Sequence, residues 1–256
     1  MNTIKTAAAT VTGARHARAA RNGQDAAATW RELGAAVVVV CDGCSAGASS
    51  EVGARLGAAL FAGAVGARLR AGGSPDDPTL WHAARTEVVR SLADLLERMP
   101  GDRSDAIREH FLFTIVAAAM TRDASAVWAL GDGAYALDGA TRELGPFPDN
   151  QPPYLAYDLT GDAADAHFEV ATARSIVVAT DGASDLATDL AFVSRGGLAQ
   201  FAARTFVDHP DALRRHLAVL ARAGERIDWD ERRVVRTPAV LQDDCAIGVL
   251  AREDAS

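Results

Sequence analysis

Four acidic positions fall at the ends of predicted β-strands, and each stands beside a glycine or a second acid. They are Asp42-Gly43, Asp132-Gly133, Asp181-Gly182 and Asp243-Asp244. A strand end fixes the direction of a carboxylate, and a neighbouring glycine lets a backbone carbonyl or a small ligand approach closely. Carboxylates that meet in space repel one another unless a hard cation such as Mg²⁺ or Mn²⁺ neutralises them. Although a single Asp-Gly is an ordinary turn dipeptide, the recurrence predicts a metal site built from aspartates.

The strand before the first of these acids is predicted at residues 35–41, an apolar run rich in β-branched residues. Such a run is typical of a strand that is buried on both faces. Helical spacing follows at residues 51–69, 79–99, 190–206 and 210–223. Further strands are predicted at residues 111–120, 126–130, 134–137, 167–171, 175–179 and 245–251. Runs of strands with helices grouped between them favour an antiparallel α+β fold built in layers.

Three connecting segments carry expectations of their own. The segment Gly131-Asp132-Gly133 is predicted to close a β-hairpin, because Asp-Gly tolerates the positive φ that tight turns require. The proline-rich stretch at residues 146–153 predicts a loop. The arginine-rich segment at residues 222–237 is predicted to be a loop that either borders the site and selects substrates or is an ordinary solvated surface.

Composition excludes several classes of protein. The 256 residues are 49% apolar and 23% charged, and 26 basic against 34 acidic side chains give a formal net charge of −8. An acidic chain is a poor nucleic-acid binder, since that function needs a basic face. The longest uncharged helical stretch, residues 56–67, falls short of the roughly 18 apolar residues that would span a bilayer. We therefore expect a single monomeric domain over residues 1–256 in the cytoplasm, with short flexible ends at about 1–8 and 252–256.

An ordered series of short motifs covers nearly the whole chain. The motifs are Gly13-Ala14-Arg15-His16, Asn22-Gly23-Gln24-Asp25-Ala26, Val40-Cys41-Asp42-Gly43, Ser50-Glu51-Val52-Gly53-Ala54, Phe113-Thr114, Leu130-Gly131-Asp132-Gly133, Ala179-Thr180-Asp181-Gly182-Ala183-Ser184-Asp185 and Gln242-Asp243-Asp244. Their order and spacing resemble the metal-dependent serine/threonine protein phosphatases, the protein phosphatase type 2C family (PPM), in its bacterial branch. The resemblance implies a four-layer α-β-β-α sandwich of two antiparallel sheets flanked by helices, with metals bound at one end.

The resemblance also implies roles for individual residues. Asp42 would bridge two Mn²⁺ or Mg²⁺ ions, with the Gly43 carbonyl on one of them and Asp181 and Asp243 completing the site. Asp25 would bind through water, and Asp132 and Asp185 match acids that hold a weaker third ion in the family. Two ions that share a water lower its pKa and orient it for in-line attack on phosphorus. The implied substrate is a phosphoprotein carrying phosphoserine or phosphothreonine, with a Ser/Thr kinase as the opposing partner.

Two departures from the family pattern concern charge and proton transfer. Gln24 stands where the family often has a glutamate, so one water-mediated carboxylate is replaced by a neutral amide. Cys44 stands where the family often has a histidine that is a proposed general acid. His16 is a candidate to replace that histidine, and the alternative is a histidine that only makes structural hydrogen bonds.

A third departure concerns the phosphate group of the substrate. The arginine that grips this phosphate in the family falls at Ala20 here. Arg18 and Arg21 flank that position, and either can offer a bidentate contact to phosphate. The alternative for both is a solvated arginine in an arginine-rich chain.

Two other functions remain open from the sequence. Cys41-Asp42-Gly43-Cys44 is also a Cys-x-x-Cys between a strand and a helix, as in thiol oxidoreductases, and Cys245 makes zinc binding by three thiols conceivable. Against the oxidoreductase, Cys41 ends a buried apolar run and no βαβ unit precedes it. The second alternative is a catalytically silent regulatory or binding module that keeps the phosphatase fold.

Overall fold

The structure is a computed structural model, and it describes residues 3–32, 34–209 and 211–253. The strands are β1 (Ile4–Val11), β2 (Ala26–Glu32), β3 (Ala35–Gly43), β4 (Phe113–Thr121), β5 (Ser125–Leu130), β6 (Gly133–Leu137), β7 (Ala140–Leu144), β8 (His167–Ala171), β9 (Ser175–Ala179), β10 (Gly224–Asp228), β11 (Arg233–Thr237) and β12 (Cys245–Arg252). The α-helices are α1 (Ala14–Arg18), α2 (Ser50–Arg70), α3 (Pro78–Leu96), α4 (Arg103–Ala106), α5 (Leu190–Ser194), α6 (Arg204–Val207) and α7 (Ala212–Leu220). A π-helical turn (Ile107–Phe111) and four 3₁₀ segments (Pro148–Asn150, Leu155–Leu159, Asp181–Thr188 and Gly197–Ala202) complete the described elements.

Two antiparallel five-stranded sheets form the centre of the fold. The first has the strand order β2-β3-β4-β5-β8 and the second has the order β1-β12-β9-β6-β7. Helices α2 and α3 cover the outer face of the first sheet, and α7 with the 3₁₀ and short helical segments before it covers the outer face of the second. The α+β fold and its four layers, α-β-β-α, are confirmed.

Strand β3 explains why its sequence is apolar at every position. Successive side chains of a strand point to opposite faces of its sheet. Val38 and Val40 pack between the two sheets, in the same cluster as Val178 of β9. Val37 and Val39 point the other way and pack against the helices. Both faces are therefore dry, as the run of β-branched residues predicted, and β3 lies between two hydrogen-bonded neighbours.

Helix α2 passes a length-and-composition test for crossing a membrane, with a mean hydropathy of 1.3. Of the 18-residue stretch of α2 that has this hydropathy, 56% is buried inside the fold. Phe61 and Val65 of this helix have no exposed surface and belong to the cluster that covers the first sheet. A core helix of a water-soluble layer structure satisfies the same test, because its buried stripe is apolar.

The hairpin predicted at Gly131-Asp132-Gly133 is wrong. Strand β5 pairs with β4 and β8 in the first sheet, whereas β6 pairs with β9 and β7 in the second. The chain therefore crosses between sheets at this turn. An Asp-Gly turn reports local backbone geometry, and the partner strands that flank it decide whether the two strands pair. The crossing places Asp132 at one end of the sandwich, between the sheets.

Several element boundaries also differ from the prediction. Residues 190–206 form three short helical pieces rather than one helix, and the helix predicted at 210–223 is confined to Ala212–Leu220. Residues 4–8 lie within β1 and Arg252 ends β12, so the structure places these parts of the expected flexible ends in strands. The two strands pair with each other along their whole length. Residues 1, 2 and 254–256 of the expected flexible ends lie outside the described residues.

Local patterns missed four strands besides β1. Apart from the buried Ala26, the side chains of β2 and β7 are partly or fully exposed, so the apolar periodicity of these strands is weak. The segment predicted as an arginine-rich loop contains the β10–β11 hairpin, a separate two-stranded sheet. Its residues are not among those that line the acidic cleft described below.

Candidate active site

Five of the predicted metal-binding aspartates meet in one cleft at an end of the sandwich. The cleft has a volume of about 500 Å³. Seven aspartates line it, namely Asp25, Asp42, Asp132, Asp149, Asp181, Asp243 and Asp244. None of the described residues that line it is a lysine or an arginine. The predicted convergence of acids from separate strand ends is therefore present in the structure.

Strand register explains how these acids meet. Ala26 of β2 pairs with Cys41 of β3, which sets Asp25 beside Asp42. In the second sheet, Ala179 of β9 pairs with both Ala134 and Ile247, so the ends of β6, β9 and β12 are neighbours. Asp132, Asp181 and Asp243 lie just beyond those ends. Each sheet thus contributes its own acids, and the stacking of the sheets brings the two sets together.

The pKa values of the clustered carboxyl groups are raised because the groups are buried and lie close to one another. The carboxyl of Asp42 is hydrogen-bonded to those of Asp25 and Asp181. Burial raises the pKa of Asp42 well above its ordinary value, and the charges of Asp25 and Asp181 raise it further. Burial is also the main cause of the raised pKa of Asp25. The same two effects raise the pKa of Asp132 to about 6, with Asp181 as the charged neighbour.

Asp181 shows the same behaviour at the mouth of the cleft. Its residue surface reaches solvent, yet desolvation within the cluster and the charge of Asp243 raise the pKa of its carboxyl. Two carboxylates at hydrogen-bonding distance need either a shared proton or a cation between them. A cation that binds between these carboxyl groups would therefore replace the protons that they share.

The donor chemistry of the cleft fits a hard divalent cation. The acidic side chains that line it are all aspartates, and Mg²⁺ and Mn²⁺ prefer carboxylate oxygens as ligands. One oxygen of Asp132 is buried and has no hydrogen-bond partner in the structure. A buried acceptor left unpaired costs free energy, and a cation would satisfy it. Among the described residues, however, no three His, Cys, Asp or Glu side chains stand close enough to form a completed metal cage.

Asp185 lies outside the cleft lining, although it was predicted to help hold a third ion. It sits on the 3₁₀ segment that begins with Asp181, and its Oδ2 accepts backbone hydrogen bonds from Gln242 at 2.7 Å and Asp243 at 3.0 Å. In this structure its carboxylate holds the loop that carries Asp243. Gly43, whose carbonyl was predicted as a ligand, does line the cleft.

Asp244 is a functional residue that sequence reasoning missed. Its carboxylate is 3% exposed and accepts hydrogen bonds from the backbone N–H groups of Gly13, at 2.8 Å, and Gln24, at 2.6 Å. It thereby joins the start of α1, the segment before β2 and the segment before β12. The sequence signal that could have indicated this role is that Asp244 directly follows Asp243. Asp243 alone was predicted to be a metal ligand.

Thr180 is a second residue that was not singled out. Its hydroxyl donates to Oδ2 of Asp25 at 2.5 Å and accepts from the backbone N–H of Ala246 at 2.9 Å. Tyr154 and Tyr157 also line the cleft, with their ring planes at 76° to each other and their ring centroids 5.5 Å apart. They follow the proline-rich stretch, and nothing in their local sequence marked them.

Gln24 has a structural role rather than a charge to offer. Its side-chain amide is buried and donates to Oγ of Ser50 at 2.6 Å. The same nitrogen lies 3.3 Å from the carbonyl of Cys44. Gln24 therefore ties the turn after β3 to the start of α2. Its amide oxygen has no hydrogen-bond partner in the structure.

The three candidates for proton transfer and phosphate binding have different positions. His16 lines the cleft and is hydrogen-bonded to Asp244. Arg18 donates to the Ala14 carbonyl and to Gln242, and Arg21 donates to the Ser45 carbonyl. Neither arginine is among the residues that line the cleft. The structure thus brings His16 to the acids and leaves both guanidinium groups outside the lining of the cleft.

The cysteines do not form a thiol or zinc site. Cys41 is fully buried on the helix-covered face of the first sheet, and burial raises the pKa of its thiol well above the ordinary value. Cys245 is buried on the far face of the second sheet, so the two thiols lie on opposite sides of the sandwich. Cys44 lines the cleft, where the hydroxyl of Tyr154 donates to it. All three cysteines are free thiols.

The fold and the cleft together define a class: a four-layer α-β-β-α sandwich with a cleft lined by aspartates at one end. The family model for protein phosphatase 2C matches residues 12–219. The chain belongs to this family and is a protein serine/threonine phosphatase. The family is in general dependent on Mn²⁺ or Mg²⁺. No match to a curated protein was found.

Solved structures show the same fold at low sequence identity. A variant of a bacterial serine phosphatase is 14% identical, with 99% of this chain and 100% of that chain covered and a TM-score of 0.60. Stp1 from Staphylococcus aureus, a serine/threonine phosphatase, is 13% identical, with 98% and 96% covered and a TM-score of 0.58. PppA from Pseudomonas aeruginosa, described as a regulatory component of T6SS, is 13% identical, with 98% of both chains covered and a TM-score of 0.58.

Proposed function

We propose that this protein hydrolyses phosphoserine and phosphothreonine in proteins with divalent metal ions held by the aspartate cluster. The observation that carries the proposal is the charge of the cleft. Seven aspartates and no lysine or arginine among its described lining residues would repel a phosphate dianion. A phosphate substrate can approach only when cations outweigh those charges, and Mn²⁺ or Mg²⁺ suits the oxygen donors.

Individual residues then have separate duties. Asp42, Asp181 and Asp243 would hold two ions, with the carbonyl of Gly43 as a further ligand and Asp25 in contact through water. Asp132, with its unpaired buried oxygen, would add a weaker third position. When bound, the ions supply an activated water for attack on phosphorus and neutralise the phosphoryl oxygens. Thr180 keeps Asp25 oriented, and Asp185 keeps the Asp243 loop in place.

The test is metal-dependent release of phosphate from a phosphoserine or phosphothreonine peptide by the full chain. We expect turnover with Mn²⁺ or Mg²⁺ and its loss in Asp42→Asn and Asp243→Asn. Asp123→Asn, an exposed aspartate in the turn between β4 and β5, is the matched control and should keep full activity. Folded protein that binds Mn²⁺ but turns over no substrate would instead support the silent binding module.

The setting of this activity is part of the same proposal. The family implies a phosphoprotein substrate, and we propose that a Ser/Thr kinase adds the phosphate which this protein removes. We further propose that it works as a cytoplasmic monomer. Light scattering of the purified chain tests the monomer, and fractionation of its source cells tests the cytoplasmic location. A stable dimer or a membrane-bound pool would contradict them.

A further inference from the structure

His16 and Asp244 form a hydrogen-bonded pair at the wall of the acidic cleft. Nδ1 of His16 lies 2.7 Å from Oδ2 of Asp244, and the two side chains are 13% and 3% exposed. The pair joins residues that are far apart in the sequence. His16 belongs to α1, and Asp244 stands directly before β12.

The other hydrogen bonds of Asp244 show which partner donates in its hydrogen bond with Nδ1 of His16. Gly13 and Gln24 present backbone N–H groups to this carboxylate, and an N–H group can only donate. Asp244 is therefore an acceptor, and Nδ1 of His16 must be the donor. Nε2 is then the nitrogen of His16 that is left for chemistry in the cleft.

We propose that His16 is the general acid that protonates the departing serine or threonine oxygen, and that Asp244 is a positioning residue which fixes the tautomer and direction of the ring. This rests on the proposed function. As water oxygen bonds to phosphorus, the bond from phosphorus to the side-chain oxygen breaks. The acid form of His16 is the imidazolium, in which Nδ1–H donates to Asp244 and Nε2 carries a second proton. That second proton passes to the departing oxygen, which leaves as the alcohol. Of the two protons of the attacking water, one stays on the phosphate. The other returns to Nε2 of His16 and replaces the proton given to the alcohol.

The other side chains of the cleft are less suited to this step. Under the proposed function, five of the aspartates would hold the cations, namely Asp25, Asp42, Asp132, Asp181 and Asp243. Burial and the hydrogen bond to Cys44 raise the pKa of Tyr154 far above its ordinary value, so its proton is held tightly. Among the described residues that line the cleft, His16 is the one imidazole.

The first test compares two leaving groups. A serine alkoxide is a poor leaving group that needs a proton, whereas p-nitrophenolate leaves without one. With saturating Mn²⁺, His16→Gln should lower kcat on a phosphoserine peptide by about 10²- to 10⁴-fold, the range typical of a lost general acid. It should change kcat on p-nitrophenyl phosphate far less. His82→Gln, an exposed histidine on α3, is the matched control and should leave both unchanged.

The outcomes separate this proposal from the one on which it rests. A wild-type chain that hydrolyses neither substrate refutes the proposed function, and the general acid with it. A wild-type chain that hydrolyses both, with equal losses on the two substrates or no loss in His16→Gln, refutes the general acid alone. Equal losses would mean that His16 only supports the structure around the metals.

The second test concerns Asp244. Asp244→Asn should give the same substrate-selective loss, and the double variant with His16→Gln should lose no more than either single variant, because the two residues act as a unit. Since Asp244 also binds two backbone groups, Asp244→Asn is informative only where it folds and binds Mn²⁺. The ¹⁵N shifts of His16 in the wild-type chain give an independent reading. A ring protonated at Nδ1 supports the pair, and a neutral ring protonated only at Nε2 overturns it.

Discussion

Thr180 joins the two sheets by donating a hydrogen bond from Oγ1 to Oδ2 of Asp25, at 2.5 Å. Thr180 follows β9 of the second sheet, and Asp25 precedes β2 of the first. The same hydroxyl also accepts the N–H of Ala246 at the start of β12. One side chain thus fixes Asp25, an acid of the first sheet that lines the cleft, to two strands of the second sheet.

Replacing this threonine should weaken metal binding. Thr180→Val keeps the side-chain shape but leaves the carboxylate of Asp25 and the N–H of Ala246 without this partner. We expect a destabilisation of about 1 to 3 kcal/mol, the usual cost of leaving a buried polar group unpaired. The apparent affinity for Mn²⁺, measured by calorimetry, should fall as well. Thr180→Ser keeps the hydroxyl and is the control, and equal affinity in both variants would contradict the role.

The metal-free protein should become less stable as pH rises. Burial holds the pKa of Asp132 at about 6, above its ordinary 3.8. Below pH 3.8 this carboxyl is protonated in both the folded and the unfolded state, and its contribution to stability is fully present. Between pH 3.8 and about pH 6 the unfolded chain releases this proton more readily than the folded chain. The contribution of Asp132 to stability is therefore lost over this range. The raised pKa values of Asp25 and Asp42 act in the same direction.

Thermal melting with a chelator, followed by addition of Mn²⁺, measures this effect. We expect the melting temperature of the metal-free chain to fall through this pH window and Mn²⁺ to raise it most at neutral pH, where the acids are ready to bind a cation. Asp132→Asn should raise the metal-free melting temperature at pH 7 relative to wild type. A metal-free chain whose stability increases over this window would contradict the assignment of burial as the cause.

Gly182 should not tolerate even a methyl group. A Cβ built there would lie 1.8 Å from the carbonyl oxygen of Asp244, which is far closer than non-bonded atoms approach. Gly182→Ala must therefore displace the backbone that carries Asp243 and Asp244, and we expect a lower melting temperature and weaker Mn²⁺ binding. Gly63→Ala on α2 meets nothing within 4 Å. It should be neutral or stabilising by up to about 1 kcal/mol, since alanine favours helix. Similar melting temperatures for both variants would contradict this contact.

Activity should not require the cysteines. Cys41 is a small buried residue among apolar neighbours, so Cys41→Val conserves its character and should cost less than about 1.5 kcal/mol. Combined with Cys44→Ser, it removes both sulfur atoms of the Cys-x-x-Cys. Phosphate release by this double variant should stay close to wild type. A complete loss of turnover in a folded double variant would reopen the thiol mechanism.

Much of the candidate site was predictable because its ligands are local signals that recur. Asp42 and Asp181 each end an apolar strand and precede a glycine, and that arrangement is visible in a single chain. His16 was recognised as a candidate without any sign of its partner. Asp244 and Thr180 were not assigned roles, because each acts through a residue more than 150 positions away.

The sequence by itself determined that β3 is buried on both faces, that the strands are antiparallel in layers and that several acids stand at strand ends. These properties depend on apolar periodicity and turn chemistry, which act over a few residues. Only the tertiary structure decided that Gly131 and Asp132 cross from one sheet to the other rather than turn back. It also decided that His16 is hydrogen-bonded to Asp244, and that Arg18 and Arg21 do not line the cleft. Those outcomes depend on which strands become neighbours and how the two sheets stack, and both are set by packing of the whole core.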